Sequence, residues 1–233
     1  MADIELFFDC SSPWTYLAFH NIRLLAAEIG ATIAWRPILV GGIFNTVNPS
    51  VYASRENAVP LKQAYALKDM QDWARVAGLR ITFPPTVFPV NSVKAMRGCL
   101  LLEPEGRLEA FAGATFAAYF GDDLDISQDD VLRRICAGLG VDPDAFLAGI
   151  AVPAIKERLK ANTDEVIRRG GFGSPTMFVG GNDMYFGNDR LPLVREALLR
   201  NRRYGRSESA LPDNPVRRPG ARNRGTSNPG QQS

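Results

Sequence analysis

The chain has 233 residues, 45% of them hydrophobic, enough to bury a sizeable core in one elaborated domain or two small ones. Its 27 basic and 25 acidic side chains nearly cancel, which excludes a field strong enough to make nucleic acid or an anionic membrane surface the main partner. Three cysteines at distant spacings and a single histidine, His20, leave no zinc ligand set and no Cys/His nucleophile pair.

The first residues, MADIELFFDC, carry no basic n-region and only a short apolar run, so no signal peptide is expected. No apolar stretch approaches the roughly 18 residues of a membrane span. The expectation is a soluble, cytoplasmic protein. Ile4 to Asp9 is an apolar, aromatic-rich run that suits a buried strand. Pro13 then fits a first helical turn, and Trp14, Leu17, Ala18, Ile22, Leu25 and Ile29 keep helical spacing until Gly30 stops it. Thr32 to Ile38 reads as a second strand, which completes one βαβ unit with a right-handed crossover.

Between Gly41 and Gly170 the pattern is mostly helical. Helices are expected over Leu61 to Ala77, Ser92 to Leu102, Arg107 to Tyr119, Gln128 to Leu139, Pro143 to Ala151 and Val152 to Arg169, with Asp142 as an N-cap. The Pro-rich FPPTVFPVNS punctuates this block. Strand spacing returns at Thr176 to Val179 and, after a Gly-Gly-Asn-Asp turn, at Met184 to Phe186; a last helix starts near Asp189 and runs to about Arg203. From Arg200 onward the chain is rich in Arg, Gly, Pro, Ser and Asn and poor in apolar residues, a composition that cannot offset the entropy of ordering.

The order βαβ, helical block, ββα predicts an α/β protein with a thioredoxin-like fold interrupted by a large α-helical insertion. Residues 1–40 and 171–203 form the thioredoxin-like domain, 41–170 the insertion, and 204–233 a disordered basic tail. In such folds a CxxC stands at the junction of the first strand and first helix, where unpaired N–H groups and the helix dipole stabilise a thiolate. Here the junction reads Ser12-Pro13-Trp14-Thr15, with hydroxyls in both sulfur positions. Cys10 lies two residues too early and reads as a small apolar core residue; Ser11 faces the same objection.

Ser12 is a poor nucleophile without a base, because no helix terminus brings an alkanol near ionisation at neutral pH. It can donate a hydrogen bond to a thiolate that arrives on a ligand. It can also do no more than cap the helix, since Ser followed by Pro makes a good Ncap and N1 pair. The stretch GFGSPTMF supplies a second signal. A proline just before the third strand is where these folds keep a cis peptide, which would leave the backbone of Ser174 free to pair with an extended peptide. The alternative is an ordinary trans proline entering an edge strand.

FDCSSPWTYLA, WRPILVGGIF, FPPTVFPVNSVKAMR and GGFGSPTMFVGGNDMYFGNDRL together resemble the 2-hydroxychromene-2-carboxylate isomerase family, which is similar to kappa-class glutathione transferases and more remotely to DsbA-type oxidoreductases. The match runs from about Asp3 to Leu199. The resemblance implies glutathione as cofactor, a small aromatic substrate and a homodimer; the near-balanced charge and the lack of a long apolar run give no membrane or nucleic-acid partner, the Arg-rich tail being the one place where a nucleic-acid contact stays open. By the same resemblance Ser12 touches the glutathione sulfur, Ser174 before cis-Pro175 offers its backbone to the cysteinyl unit, and Asn188 with Asp189 holds the γ-glutamyl end. Lys62 and Asn48 complete the implied set, with Asn45 a competing register for Asn48.

Each implied residue also has a plain structural reading. Asn188 or Asp189 at a helix start is a natural cap, and Lys62 a solvated helix residue. Arg36 reads as tied to carbonyls or a carboxylate, Trp14 as core; Asn91 could face a substrate pocket. Phe83, Phe88 and Met96 in the insertion fit pocket or core. The implied activity is isomerisation by reversible thiolate addition, bond rotation and elimination. Two alternatives are a kappa-like glutathione transferase and a non-enzymatic thioredoxin-fold interaction protein.

Overall fold

The computed structural model describes residues 2–204, the side chains of Arg55 and Tyr204 excepted. The tail expected over 204–233 lies outside the described residues, apart from Tyr204, which is the last residue of a helix rather than the first of a tail.

Four strands form one mixed sheet in the order β2-β1-β3-β4: β1 (Ile4–Phe8), β2 (Ile33–Pro37), β3 (Thr176–Val179) and β4 (Asp183–Phe186). β1 runs parallel to β2, with Ile4 opposite Ile33, and antiparallel to β3, with Ile4 opposite Val179; β3 pairs antiparallel with β4. Side chains of the central strands alternate between two cores, as the period of two requires. Ile4, Leu6, Phe8, Met177 and Val179 enter the larger core, while Phe7 and Phe178 meet Ile38, Ile43 and Val166 on the other face. Burying each Phe or Leu contributes on the order of 1.5–3 kcal/mol.

Helix α1 (Pro13–Ile29) crosses from β1 to β2. Ser12 caps it by accepting the Thr15 N–H, Pro13 occupies its first turn, and Gly30 ends it in the left-handed conformation, at φ 63°. Leu17, Phe19, Ile22 and Ala26 are buried, and the Phe19 ring packs on Phe8 of β1 and Trp35 of β2.

Eight α-helices lie between β2 and β3: α2 (Val40–Val47), α3 (Ser50–Glu56), α4 (Pro60–Ala77), α5 (Val93–Leu102), α6 (Leu108–Phe116), α7 (Asp129–Gly138), α8 (Pro143–Ile150) and α9 (Pro153–Arg168). A π-helical turn, Ala117–Gly121, extends α6, and a 3-10 turn, Asn188–Arg190, leads into α10 (Leu191–Tyr204). This is the expected thioredoxin-like fold with its helical insertion. The helices expected between Leu61 and Arg169 are present with ends shifted by a few residues. α2 and α3 were not anticipated. Neither has a side-chain cap, and α2 carries two glycines in its first turn, so neither sends a start signal.

The larger core is continuous from sheet to insertion: Phe8, Phe19 and Phe116 pack with ring centroids 5.3–6.5 Å apart, and Tyr16 stacks on Phe116 at 5.1 Å. That packing fixes the insertion over the N-terminal end of α1.

Candidate functional site

β1 ends at Phe8, and the four residues that follow turn the chain into α1. Cys10 is fully buried, its backbone N–H donates to the Met96 sulfur at 3.3 Å, and its free thiol is hydrogen-bonded to that of Cys99. Burial, then the Cys99 thiol, pushes the Cys10 thiol well up, so it stays protonated. It is a core residue. Ser12 Oγ accepts the Thr15 N–H at 3.2 Å and donates to the Ser174 carbonyl at 3.4 Å. Ser12 thus caps the helix, and the same hydroxyl reaches across to the cis-proline loop.

The Ser174–Pro175 peptide is cis and faces this terminus. Ser174 Oγ accepts the Asp9 N–H at 3.0 Å and lies 2.8 Å from Thr15 Oγ1. Thr15, in the second sulfur position of a CxxC, is fully buried and ties the helix to the cis-proline loop. Its hydroxyl is positional. The nearest thiol, that of Cys10, is shut inside the core.

Above the terminus opens a cavity of about 1170 Å³, lined by Ser11, Ser12, Trp14 and Ser174 on the thioredoxin side and by α2, α4 and the 83–93 segment on the insertion side. Its walls are mainly apolar: Phe44, Leu67, Met70, Phe83, Phe88, Phe172 and Phe186. Phe83 and Phe88 form an edge-to-face pair at 5.0 Å, each preceding a cis proline. Their loop is held by Tyr119, whose hydroxyl donates to the Val87 carbonyl at 2.9 Å, and by Thr86, which donates to Asp123 from both its N–H and its hydroxyl. Volume and lining match a site for a drug-sized ligand with a few directed polar groups.

Of the polar residues singled out in the sequence, Ser12, Asn48, Asn91 and Ser174 border this cavity, and Pro175 directly follows Ser174. Asn48 donates to the Phe172 carbonyl at 3.1 Å, whereas Asn45 accepts from the Tyr52 hydroxyl and does not line the cavity. Lys62 is exposed on the first turn of α4, beside the lining residue Gln63. Asn188 and Asp189 stand outside the cavity wall. Asn188 is 2% exposed and accepts from the Asn21 amide at 2.9 Å, and its own Nδ2 has no partner among the described residues. Asp189 pairs with Arg190 at 2.5 Å. The Gly187 N–H donates to the Pro175 carbonyl at 3.2 Å, which keeps this turn beside the cis proline.

Trp14 is only partly buried and lines the cavity, a role the sequence reading gave to the core instead. Met96 is wholly core, while Phe83 and Phe88 are wall. Arg36 pairs with Glu165 away from the cavity. Asp9 is the residue that sequence reasoning missed. It is 1% exposed and borders the cavity; Oδ1 accepts the Ser11 N–H at 2.9 Å and Oδ2 the Val40 N–H at 2.8 Å. Burial raises its carboxyl above the usual range, against the lowering effect of hydrogen bonds from Val40, Ser11 and Ser92. An acid at the end of an apolar strand was the available signal.

The thioredoxin-type junction of β1 and α1 thus carries hydroxyls in both sulfur positions and faces an apolar cavity. Residues 3–199 match the DSBA-like thioredoxin domain, and the chain belongs to that family. It is similar to 2-hydroxychromene-2-carboxylate isomerase of Pseudomonas putida, 29% identical over 197 residues that cover 84% of this chain and 94% of the relative. It is also similar to glutathione S-transferase kappa 2 of Caenorhabditis elegans, 26% identical over 208 residues that cover 84% and 91%. A solved structure of a 2-hydroxychromene-2-carboxylate isomerase superposes with a TM-score of 0.72 at 29% identity, covering 86% of this chain and 96% of the other.

Proposed function

We propose that the protein is a glutathione-dependent isomerase of the 2-hydroxychromene-2-carboxylate type, active as a cytoplasmic homodimer. The observation that carries this reading is the N-terminus of α1: its cap hydroxyl borders a large apolar cavity, and the one cysteine nearby is sealed in the core. Such a site stabilises a thiolate without supplying one. Glutathione would bind extended along Ser174, its sulfur at the helix terminus within reach of the Ser12 hydroxyl. Asn48 is placed for a polar contact from the α2 side. Lys62 and Asp189 lie outside the cavity wall, where the charged ends of the tripeptide would extend, and Asn188, buried beside Asp189 against Asn21, keeps an unpartnered Nδ2.

The thiolate adds to a conjugated double bond of the aromatic substrate, held against Phe83, Phe88 and Trp14. Addition leaves a single bond free to rotate, and elimination returns the thiolate. Glutathione is used as a cofactor and not consumed. Lowering the thiol pKa by one to two units is worth roughly 1.4 to 3 kcal/mol, within reach of a helix terminus and one charge-assisted hydrogen bond.

A kappa-like transferase is the second reading, favoured by the similarity to kappa-class enzymes. The two separate on thiol balance. Free thiol is titrated while the absorbance of 2-hydroxychromene-2-carboxylate is followed with catalytic glutathione. Many turnovers at constant thiol support isomerisation; thiol lost in step with substrate moves the protein to the transferases. No reaction, with glutathione bound, removes this substrate class, and no glutathione binding removes both readings in favour of an interaction protein.

A further inference from the structure

Asp9 is the one charged side chain among the described residues that line the cavity, and the mechanism above gives it no task. Its carboxylate receives the N–H of Ser11, which precedes the cap of α1, the N–H of Val40, the first residue of α2, and a hydrogen bond from Ser92, immediately before α5. The loop ahead of α1 and the starts of α2 and α5 thus meet at one buried carboxylate. The Val40 N–H presents the positive end of the α2 dipole and the other two donors add to it, so the locus favours one negative charge. A thiolate arriving at Ser12 is a second anion in that same field, three residues along the chain.

Two anions in a desolvated pocket repel, and the pair is relieved by keeping one proton between them. The hydroxyls of Ser12, Thr15 and Ser174 cannot hold that proton as bases near neutrality. The other titratable groups facing Asp9 are Cys10 at the end of β1, with Cys99 of α5 behind it, and Tyr119 of the π-helical turn. Burial holds both the Cys10 thiol and the Tyr119 phenol protonated, so neither accepts a proton.

Resting on the glutathione reading above, we infer that Asp9 is the proton acceptor of the site, taking up the thiol proton of glutathione when the tripeptide binds. The S–H bond breaks with its electron pair left on sulfur, and the proton forms an O–H bond on the Asp9 carboxylate. The site carries one negative charge before and after. Through addition and elimination the electron pair passes from sulfur to the substrate carbonyl oxygen and back, so Asp9 keeps the proton until glutathione leaves. Desolvation, which makes Asp9 a better base than an exposed carboxylate, supports the assignment.

The test counts protons. Glutathione is titrated calorimetrically into the full chain near neutral pH in two buffers of different ionisation enthalpy, and thiolate is counted by its ultraviolet absorbance. Wild type should form thiolate with almost no net proton released to buffer. As the pH falls far enough to protonate Asp9 beforehand, release should rise toward one proton per thiolate. Asp9→Asn should release that proton throughout, a change that a merely structural carboxylate would not produce. Wild type releasing a full proton per thiolate at neutral pH overturns the inference while leaving glutathione binding intact. Absence of both heat and thiolate absorbance overturns the glutathione reading and this inference together. Because wild type alone decides the outcome, the test survives an Asp9→Asn protein that fails to fold.

Discussion

Ser12 and Cys10 are two residues apart and have opposite fates because one caps a helix at the edge of a cavity and the other faces inward from a strand end. Ser12→Ala should remove most activity and raise the pKa of bound glutathione, and loss of the cap should cost about 1 kcal/mol of stability. Cys10→Ala should cost on the order of 1 kcal/mol of packing and leave turnover intact. Equal loss of turnover in both would sink the assignment of Ser12. The third cysteine supplies a pH signature. Burial pushes the Cys136 thiol up to about 11, above its unfolded value. Between those two pH values the unfolded chain has lost the proton and the folded chain keeps it, so folding holds its full contribution below the unfolded pKa and loses it as pH rises toward 11. Stability measured by urea unfolding should therefore fall with rising pH over this alkaline window, and Cys136→Ala should flatten the slope.

At the level of elements, the insertion is locked by close helix contacts as much as by apolar area. Gly98 of α5 faces Phe146 of α8 and Phe111 of α6; a Cβ there would stand 2.5 Å from the Phe146 ring and 2.8 Å from that of Phe111. Both rings are buried and packed on each other at 5.1 Å, so neither can swing away freely. Gly98→Ala should destabilise by about 1–3 kcal/mol, although alanine is the better helix former, and thermal melting would show it. An unchanged melting temperature would mean that α5, α6 and α8 are less tightly joined than the contact distances require. Helices with proline in the first turn, or with the Asp142 cap, were legible because their start signals are local. α2 and α3 were not, because they are held by what surrounds them: the Val40 N–H by Asp9, the Leu39 N–H by the Thr163 hydroxyl and Asn48 by the Phe172 carbonyl.

For the whole molecule, Arg169 joins parts that are far apart in sequence. It donates to Glu5 of β1 at 2.7 Å, to Glu165 of α9 at 3.1 Å and to the Gly181 carbonyl of the β3–β4 turn at 2.5 Å, with its guanidinium 3.6 Å from the Phe178 ring centroid. The pairs are partly exposed, so the contribution is smaller than for a sealed ion pair. Arg169→Ala should still cost about 2 kcal/mol, the scale of a charged hydrogen bond, because Glu5 and Glu165 would be left close together. Arg169→Lys should recover only part of it, since a point charge cannot reproduce the fork. Denaturant unfolding of the two variants checks the order; equal stability of wild type and Arg169→Ala would remove Arg169 from this role.

The sequence by itself determined the four strands, most helices and the position of the β1–α1 junction, since strand alternation, proline and glycine punctuation and the Ser12-Pro13 pair are local signals. Only tertiary structure decided which side chains share the cavity. Trp14, Phe83 and Phe88 have the composition of core residues, and their place in a wall depends on how α4 and the 83–93 segment stand over α1. Asn188 has the composition of a ligand group, yet the turn after β4 packs it against Asn21 on α1. Asp9 shows the division most clearly. Its backbone is fixed by β1, but the partners of its carboxylate, Val40 and Ser92, lie 31 and 83 positions away along the chain. Contacts over such separations are set by the packing of whole elements, and no pattern in a short window of residues encodes them.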